Sequence, residues 1–261
     1  MTRLSTVASL TADLQALGIR DGDVLMVHSS LSALGFVAGG PQAVCDALLG
    51  AVGPSGTVAM PSQSGDWSDP SDWSEPPVPQ EWWQTIRDEW PAYDPYTTPL
   101  RGMGAIAQVF LQRRNTLRSS HPRLSVMAAG AHAARITDDH SLDEGFGEQS
   151  PLARLYDLDA KVLLLGVGHN SNTSLHLAEC RGTWPGKRTW EQASAMMTEH
   201  GRRWVTYTET QQYDVDFPEV GAAFSSTGGE HVGAVGEAPA RLMSQRALVD
   251  FAAAWFTEHR Y

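Results

Sequence analysis

Apolar residues along the chain alternate between helical and strand spacing. The first helix is predicted from apolar residues at three- and four-residue steps, namely Leu4, Val7, Leu10, Leu14 and Leu17. Further helices are predicted from Pro41, over 103–112, from Pro151, over 173–180 and over 240–256. Short apolar runs predict strands over 24–27, 57–60, 124–128, 161–166 and 205–209. Strands that alternate with helices predict an α/β fold, a layered sheet with flanking helices.

The alternation stops between about residues 65 and 96, a segment rich in proline, tryptophan and acidic residues. A connection of this length is usually functional or disordered. It contains five of the nine tryptophans (Trp67, Trp73, Trp82, Trp83 and Trp90), and aromatic residues are rare in disordered segments. We therefore predict one domain over residues 1–261 that carries an ordered Trp/acidic insertion at about 65–96.

Composition and charge exclude several classes of protein. With 261 residues, of which 42% are hydrophobic, the chain can bury a substantial core. The net charge of −11 disfavours nucleic acid, and the lack of an apolar run of eighteen residues disfavours a membrane span. The N-terminus does not resemble a signal peptide, and Cys45 and Cys180 lack metal-site spacing. We expect a cytoplasmic protein that binds no metal, nucleic acid or membrane.

The clearest predicted strand ends in a histidine. Residues 161–166 are followed by Gly168, His169, Asn170 and a predicted helix from Thr173. Open α/β sheets bind ligands at the carboxyl ends of their strands, and a new helix supplies free N–H groups. His169 is therefore either a catalytic residue or a histidine that only caps the turn, and its position alone does not decide between the two.

Two further segments have the chemistry of a phosphate or thioester site. The strand at 24–27 runs into His28, Ser29, Ser30, Leu31 and Ser32, whose hydroxyls and amides could hold a phosphate or polarise a thioester carbonyl; a serine-rich helix start is the alternative. The second segment, 118–123, has two arginines with hydroxyls between them. Guanidinium pairs well with phosphate, while a solvated loop remains the alternative.

The insertion combines carboxylates with tryptophans, which suits a polycationic ligand through charge pairing and cation–π contact. A solvated acidic loop with tryptophans packed beneath it is the alternative. The sequence contains no HExxH, GxSxG, GxGxxG or GxxxxGK[ST] pattern, so it signals no zinc protease, common serine hydrolase, Rossmann or P-loop protein.

In this order, the segments resemble the aminoglycoside 3-N-acetyltransferase family, the antibiotic N-acetyltransferases. The resemblance runs from about residue 4 to the C-terminus. It rests on HSSL at 28–31, RGMG at 101–104, RSSHP at 118–122, SPL at 150–152 and, above all, GVGHNSNTSLHLAE at 166–179. Asn170 departs from the aspartate expected there, and the Trp-rich insertion is unusual.

The resemblance implies acetyl transfer from acetyl-CoA to the 3-amino group of a 2-deoxystreptamine ring, on a fold distinct from that of the common small acetyltransferases. It implies that His169 is the general base and that Glu209 orients it, although Asp214 and Asp216 lie close behind Glu209. The expected coenzyme site comprises His28, Ser29, Ser30, Leu31, Ser32, Arg118, Ser119, His121 and Thr173. The carboxylates expected to hold ammonium groups are Asp69, Asp94, Glu179, Asp214 and Asp216.

We therefore expect direct transfer in a ternary complex, in which a histidine removes the proton of the attacking amine. The alternatives are a related CoA-dependent N-acyltransferase for another amine, a non-catalytic binder of cationic ligands, and a hydrolase. The oligomeric state stays open, with a homodimer as one candidate.

Overall fold

The computed structural model describes residues 3–74 and 76–261; Glu75, within the predicted insertion, lies outside this range. The strands are β1 Leu4–Ser5, β2 Val24–Ser29, β3 Phe36–Val37, β4 Thr57–Pro61, β5 Leu117–Arg118, β6 Val126–Gly130, β7 Lys161–Leu165, β8 Thr189–Thr198, β9 Gly201–Thr210, β10 Glu230–Val235 and β11 Ala238–Ser244. The helices are α1 Val7–Ala16, α2 Gly40–Val52, α3 Trp83–Glu89, α4 Ala105–Leu111, α5 Ala133–Thr137, α6 Pro151–Asp157, α7 Ser174–Arg181, α8 Phe217–Ser226 and α9 Gln245–His259.

A seven-stranded sheet forms the centre of the molecule, in the order β10-β11-β7-β2-β4-β6-β5. The three middle strands, β7, β2 and β4, are parallel, and their outer neighbours are antiparallel. The carboxyl ends of the three parallel strands therefore meet at one edge of the sheet, where open α/β sheets bind their ligands.

Helices cover both faces of this sheet. Alternate residues of β7 point to opposite faces, so Leu163 packs with α1, α2 and α4, whereas Leu164 packs with α5 to α9. Both leucines are fully buried. This three-layer arrangement agrees with the α/β class predicted from the sequence.

The Trp/acidic insertion packs against the hairpin of β8 and β9. The backbone N–H of Tyr93 donates to the carbonyl of Ala195 at 2.8 Å. The ring of Trp90 meets the rings of Trp67 and Trp73 edge-on, with centroids 5.7 and 5.2 Å apart. Trp90 therefore packs between the other two rings, as in the alternative in which the tryptophans pack beneath the loop.

The terminal helix predicted over 240–256 is wrong in its first part. Residues 238–244 form β11, which pairs with β7 from Ala240 to Ser244, and α9 begins only at Gln245, where Ser244 caps it. The elements that were not predicted from the sequence are the strands β1, β3, β5, β8 and β10 and the helices α3, α5 and α8. Among residues 3–74 and 76–261, no helix is long and apolar enough to cross a bilayer.

We predict that Leu164→Ala lowers the free energy of unfolding by about 2–5 kcal/mol, because the surrounding core closes only partly around the lost methyl groups. Leu4→Ala is the matched control, since Leu4 is 61% exposed and its truncation is expected to cost about 0.5 kcal/mol or less. Urea unfolding of both variants measures the difference. Equal losses would contradict the position of Leu164 between the sheet and its helices.

Candidate active site

A cavity of about 270 Å³ opens at the carboxyl ends of the parallel strands. Its walls come from the ends of β2 and β4, the loop after β7, the start of α7 and the segment before α8. The polar side chains that line it include His28, Ser29, Asn172, Thr173, His176 and Asp214. The cavity lies where the sequence placed it, and three of the expected coenzyme residues, His28, Ser29 and Thr173, reach it.

His176, on α7, has one nitrogen held and one free. Its Nδ1 lies 2.6 Å from Oε2 of Glu179, one helical turn along, and its ring stacks on Phe146 with centroids 4.9 Å apart. Because a carboxylate accepts, Nδ1 carries the hydrogen and Nε2 keeps its lone pair. Within the described residues Nε2 forms no hydrogen bond. His176 lines the cavity and has the tautomer that a general base needs.

Glu179 is fully occupied by protein donors, which corrects its expected role as a site for a substrate ammonium group. Its second oxygen, Oε1, accepts from Nη1 of Arg260 at 2.7 Å and from the backbone N–H of Tyr213 at 2.9 Å. The carboxylate is almost completely buried. Both of its oxygens are therefore fixed, and one of them fixes His176.

His169 has no free nitrogen. Its Nε2 lies 2.7 Å from Oε1 of Glu230, a residue of β10. Its Nδ1 accepts from Nδ2 of Asn172 at 3.3 Å, and the side-chain oxygen of Asn172 accepts from the N–H of Ser174. A Cβ on Gly221 of α8 would overlap the ring, so the helix packs directly on it. His169 thus anchors the loop after β7.

The expected pair of His169 and Glu209 is wrong, because Glu209 lies beside His121. Nδ1 of His121 accepts from two backbone N–H groups, so Nε2 carries the hydrogen. That N–H donates to the carbonyl of Leu142 at 3.2 Å. Oε1 of Glu209 is 3.1 Å from the same nitrogen but has no hydrogen-bond partner among the described residues.

Burial raises the pKa of Glu209 to about 7. This carboxyl lines a crevice of about 10 Å³, large enough for about one water molecule, and His176 and Glu179 form part of its wall. A buried carboxyl without a partner next to a histidine is typical of a functional position. Glu209 therefore remains a candidate, although it does not orient His169.

His28 is a second buried polar group without a partner. Burial, reinforced by the nearby His176 and His169, lowers the pKa of His28 to about 3, so the ring is neutral. No hydrogen bond reaches its Nε2 within the described residues, although the side chain lines the cavity. The neighbouring Ser30 and Ser32 bond to each other at 3.0 Å, and Leu31 packs on the core.

The segment with Arg118 does not form a phosphate site, because its polar groups are used inside the protein. The Arg118 guanidinium donates to the carbonyls of Ser62 and Thr98, each at 2.6 Å. The Ser119 hydroxyl accepts from the N–H of Val126 and bonds to His140. A buried guanidinium needs all its donors satisfied. Arg118, Ser119 and His121 thus hold neighbouring segments of the protein together and do not line the cavity.

Most of the carboxylates expected to bind ammonium groups have protein partners. Asp69 pairs with Arg87 at 2.7 Å, and Asp216 pairs with Arg260 at 2.6 Å. Oδ1 of Asp94 accepts from two backbone N–H groups of its own turn. Asp214 is the exception, since it is exposed and lines the cavity.

His176 and Asn172 were not predicted from the sequence as site residues. The signal was a histidine and a glutamate three residues apart on one helix, which places both side chains on the same face. No group of three potential metal ligands occurs in the part of the chain that the structure describes. The expectation of a metal-free site stays a prediction.

These features define an α/β protein with a cavity at the ends of its parallel strands, lined by side chains that can exchange protons. A family model described as aminoglycoside 3-N-acetyltransferase matches residues 26–257, and relatives of that name align with nearly the whole chain. The chain belongs to the aminoglycoside 3-N-acetyltransferase family. This membership confirms the resemblance inferred from the sequence.

Among the similar proteins is the aminoglycoside N(3')-acetyltransferase-like protein YokD of Bacillus subtilis, 45% identical over 96% of this chain and 92% of that protein. The aminoglycoside N(3)-acetyltransferase VII of Streptomyces paromomycinus is 36% identical, over 97% and 92%. The crystal structure of YokD superposes with a TM-score of 0.96, covering 99% of this chain and 96% of that one, at 43% identity. The structure of AAC-IIIb with CoASH has a TM-score of 0.89 at 34% identity, covering 98% and 97%. These structures confirm the predicted fold class.

We predict that Glu209→Gln stabilises the protein at alkaline pH. The pKa of the carboxyl rises from its usual 4.5 to about 7 on folding. Between these values the folded chain binds the extra proton, so stability falls as the pH rises. The glutamine amide does not titrate, so the variant does not lose this stability. Between about pH 4.5 and pH 8, its free energy of unfolding is expected to rise by up to about 3 kcal/mol relative to that of the parent. Urea unfolding at both pH values measures the gain; a difference that does not change with pH would contradict the buried, unpaired carboxyl.

Proposed function

We propose that the protein transfers the acetyl group of acetyl-CoA to the 3-amino group of 2-deoxystreptamine aminoglycosides, and thereby confers antibiotic resistance in the cytoplasm. The observation that carries the proposal is the free Nε2 of His176 at the cavity, with Nδ1 held by Glu179. Family membership supplies the reaction class, and the relative solved with CoASH supports the acetyl donor.

His176 replaces His169 in this mechanism. The amine nitrogen attacks the thioester carbonyl carbon and forms the C–N bond, while Nε2 of His176 takes a proton from that nitrogen. The imidazolium that forms is stabilised by the Glu179 carboxylate 2.6 Å away. Breaking the C–S bond then releases the CoA thiolate, which the imidazolium protonates.

The donor side of the cavity has polar groups without protein partners. The neutral ring of His28 has a nitrogen, Nε2, without a hydrogen-bond partner among the described residues. We assign this nitrogen a hydrogen bond to the bound thioester. Ser29 and Thr173 complete the polar wall next to it. Preorganised donors near a thioester carbonyl stabilise the developing oxyanion by a few kcal/mol, roughly 3 in typical cases.

The amine side is acidic. Glu209 is a carboxyl without a partner next to His176, and Asp214 is exposed at the cavity. The ammonium groups of a polycationic substrate can pair with these carboxyl groups. Such pairing orients the substrate and raises its rate of encounter with the site.

A direct transfer is favoured because burial raises the pKa of the thiols of Cys45 and Cys180 to about 11 and about 12, so neither is a thiolate nucleophile at neutral pH. The homodimer and the absence of nucleic-acid and membrane partners stay predictions.

Thiol release from acetyl-CoA tests the reaction with gentamicin-, kanamycin- and neomycin-class compounds and a panel of other amines. We expect CoA release only when an aminoglycoside is present, with acetylation of the 3-amino group by NMR. Release without any amine would indicate a hydrolase, and no release would indicate a binding protein. Turnover with the other amines alone would indicate a different acyl acceptor.

We predict that His176→Gln lowers kcat by about 10²–10⁴-fold, because an amide can bond to Glu179 but cannot take a proton. His169→Gln is the matched control, since an amide can retain the bond to Glu230, and kcat is expected to stay within about fivefold of the parent. Steady-state kinetics of both folded variants separates the two assignments. The reverse order of losses would restore His169 as the base.

A further inference from the structure

The charged chain that begins at His176 does not end at Glu179. Nη1 of Arg260 donates to Oε1 of Glu179 at 2.7 Å, while Oε2 of the same carboxylate is 2.6 Å from Nδ1 of His176. Arg260 follows α9, 81 residues from Glu179 along the chain. A cation on one side of the carboxylate and a histidine on the other use both of its oxygens.

Arg260 is itself held rigidly. Its Nε and Nη2 donate to the two carboxylate oxygens of Asp216, at 2.8 and 2.6 Å. Nη2 also donates to the carbonyl of Tyr213 at 2.6 Å. The guanidinium lies over the ring of Phe256 at 3.7 Å and near that of Trp184 at 4.8 Å. Only 7% of the residue is exposed, so this is a desolvated cation in a fixed orientation.

The hydrogen bond to Glu179 decides which nitrogen of His176 carries the hydrogen. The carboxylate accepts, so Nδ1 donates and Nε2 keeps its lone pair. A neutral ring without this acceptor can carry its hydrogen on Nε2, and that tautomer cannot accept a proton from an amine. Arg260 donates to Oε1 at 2.7 Å and thereby holds the other oxygen, Oε2, toward Nδ1.

We propose that Arg260 is a positioning residue that acts through Glu179: it holds this carboxylate so that Oε2 accepts from Nδ1 of His176, and thereby leaves Nε2 of His176 without a hydrogen. The proposal rests on the proposed role of His176 as the general base. It adds a residue that does not line the cavity, on a segment remote in sequence from the 166–179 motif.

Arg260→Met tests the proposal in the full-length enzyme, with Arg260→Lys as the variant that keeps the charge. Partners that orient functional histidines typically contribute about 10–100-fold to activity, and we expect a loss of kcat of that size for Met, with a smaller loss for Lys. The KM for acetyl-CoA is expected to stay within about threefold, because Arg260 does not line the cavity. Millimolar guanidinium is expected to restore part of the kcat of the Met variant.

The matched control is Arg246→Met, in the first turn of α9, the helix that Arg260 follows. Arg246 pairs with Asp159 at 2.6 Å and lies over Tyr156, but its side chain is 40% exposed and far along α9 from Arg260. Its kcat is expected to stay within about threefold of the parent, with no response to guanidinium. If Arg260→Met does not fold, the same comparison is made in an Asp216→Asn background. The amide at position 216 removes one of the two carboxylates that lose their cation when Arg260 is replaced.

A double-mutant cycle with Glu179→Gln separates this inference from the proposed function. If Arg260 acts through Glu179, Arg260→Met causes no further loss of kcat once Glu179 is an amide. Losses that multiply, or an Arg260→Met enzyme with unchanged kcat, would overturn the positioning role. If His176→Gln and Glu179→Gln are both fully active, it is the proposed role of His176 as the general base that fails, whereas absence of acetyl transfer in the parent enzyme would contradict the proposed function itself.

Discussion

The hydrogen bond between Nδ1 of His176 and the Glu179 carboxylate is the interaction on which the site depends. It fixes the ring, the tautomer and the direction of the free nitrogen at once. The helical spacing of the two residues makes the bond local, so α7 carries the pair as one unit. The rest of the structure determines where this unit points, because the loop after β7 sets where α7 begins.

Two chains of histidine, carboxylate and arginine lie in this region. In the first, His169, Glu230 and Arg241 connect the loop after β7 to β10 and β11. In the second, His176, Glu179 and Arg260 connect α7 to the end of α9. Their chemistry is the same, but the second nitrogen of His169 is taken by Asn172. A histidine with both nitrogens satisfied holds structure, whereas one with a free nitrogen at a cavity can move a proton.

The sequence predicted the framework because its signals are local. The apolar runs over 24–27 and 161–166 are β2 and β7, and the residues after them do lie at the cavity. The histidine was assigned wrongly because a strand end identifies a place and not a bonding state. Glu230, which binds Nε2 of His169, is 61 residues away along the chain. No local sequence pattern indicates such a contact.

Other errors have the same origin. The helical pattern over 240–256 merged β11 with α9, because the strand ends at Ser244 and the helix begins at the next residue, with no turn between them to mark the boundary. Arg118 has the composition of a phosphate ligand, but its donors meet carbonyls of two other segments. Acidic residues suggested an ammonium site wherever they occurred, and only the fold shows that Asp69, Glu179 and Asp216 already have cations or other donors.

The tautomer of His176 is the central claim, and ¹⁵N NMR of histidine-labelled protein measures it directly. At a pH where the ring is neutral, the account predicts a protonated Nδ1 and a non-protonated Nε2 for His176, with the Nε2 resonance changing when an aminoglycoside binds. For His169 it predicts a hydrogen on Nε2, with no such change. A hydrogen on Nε2 of neutral His176 would contradict the account, because that nitrogen could not accept the proton of the attacking amine.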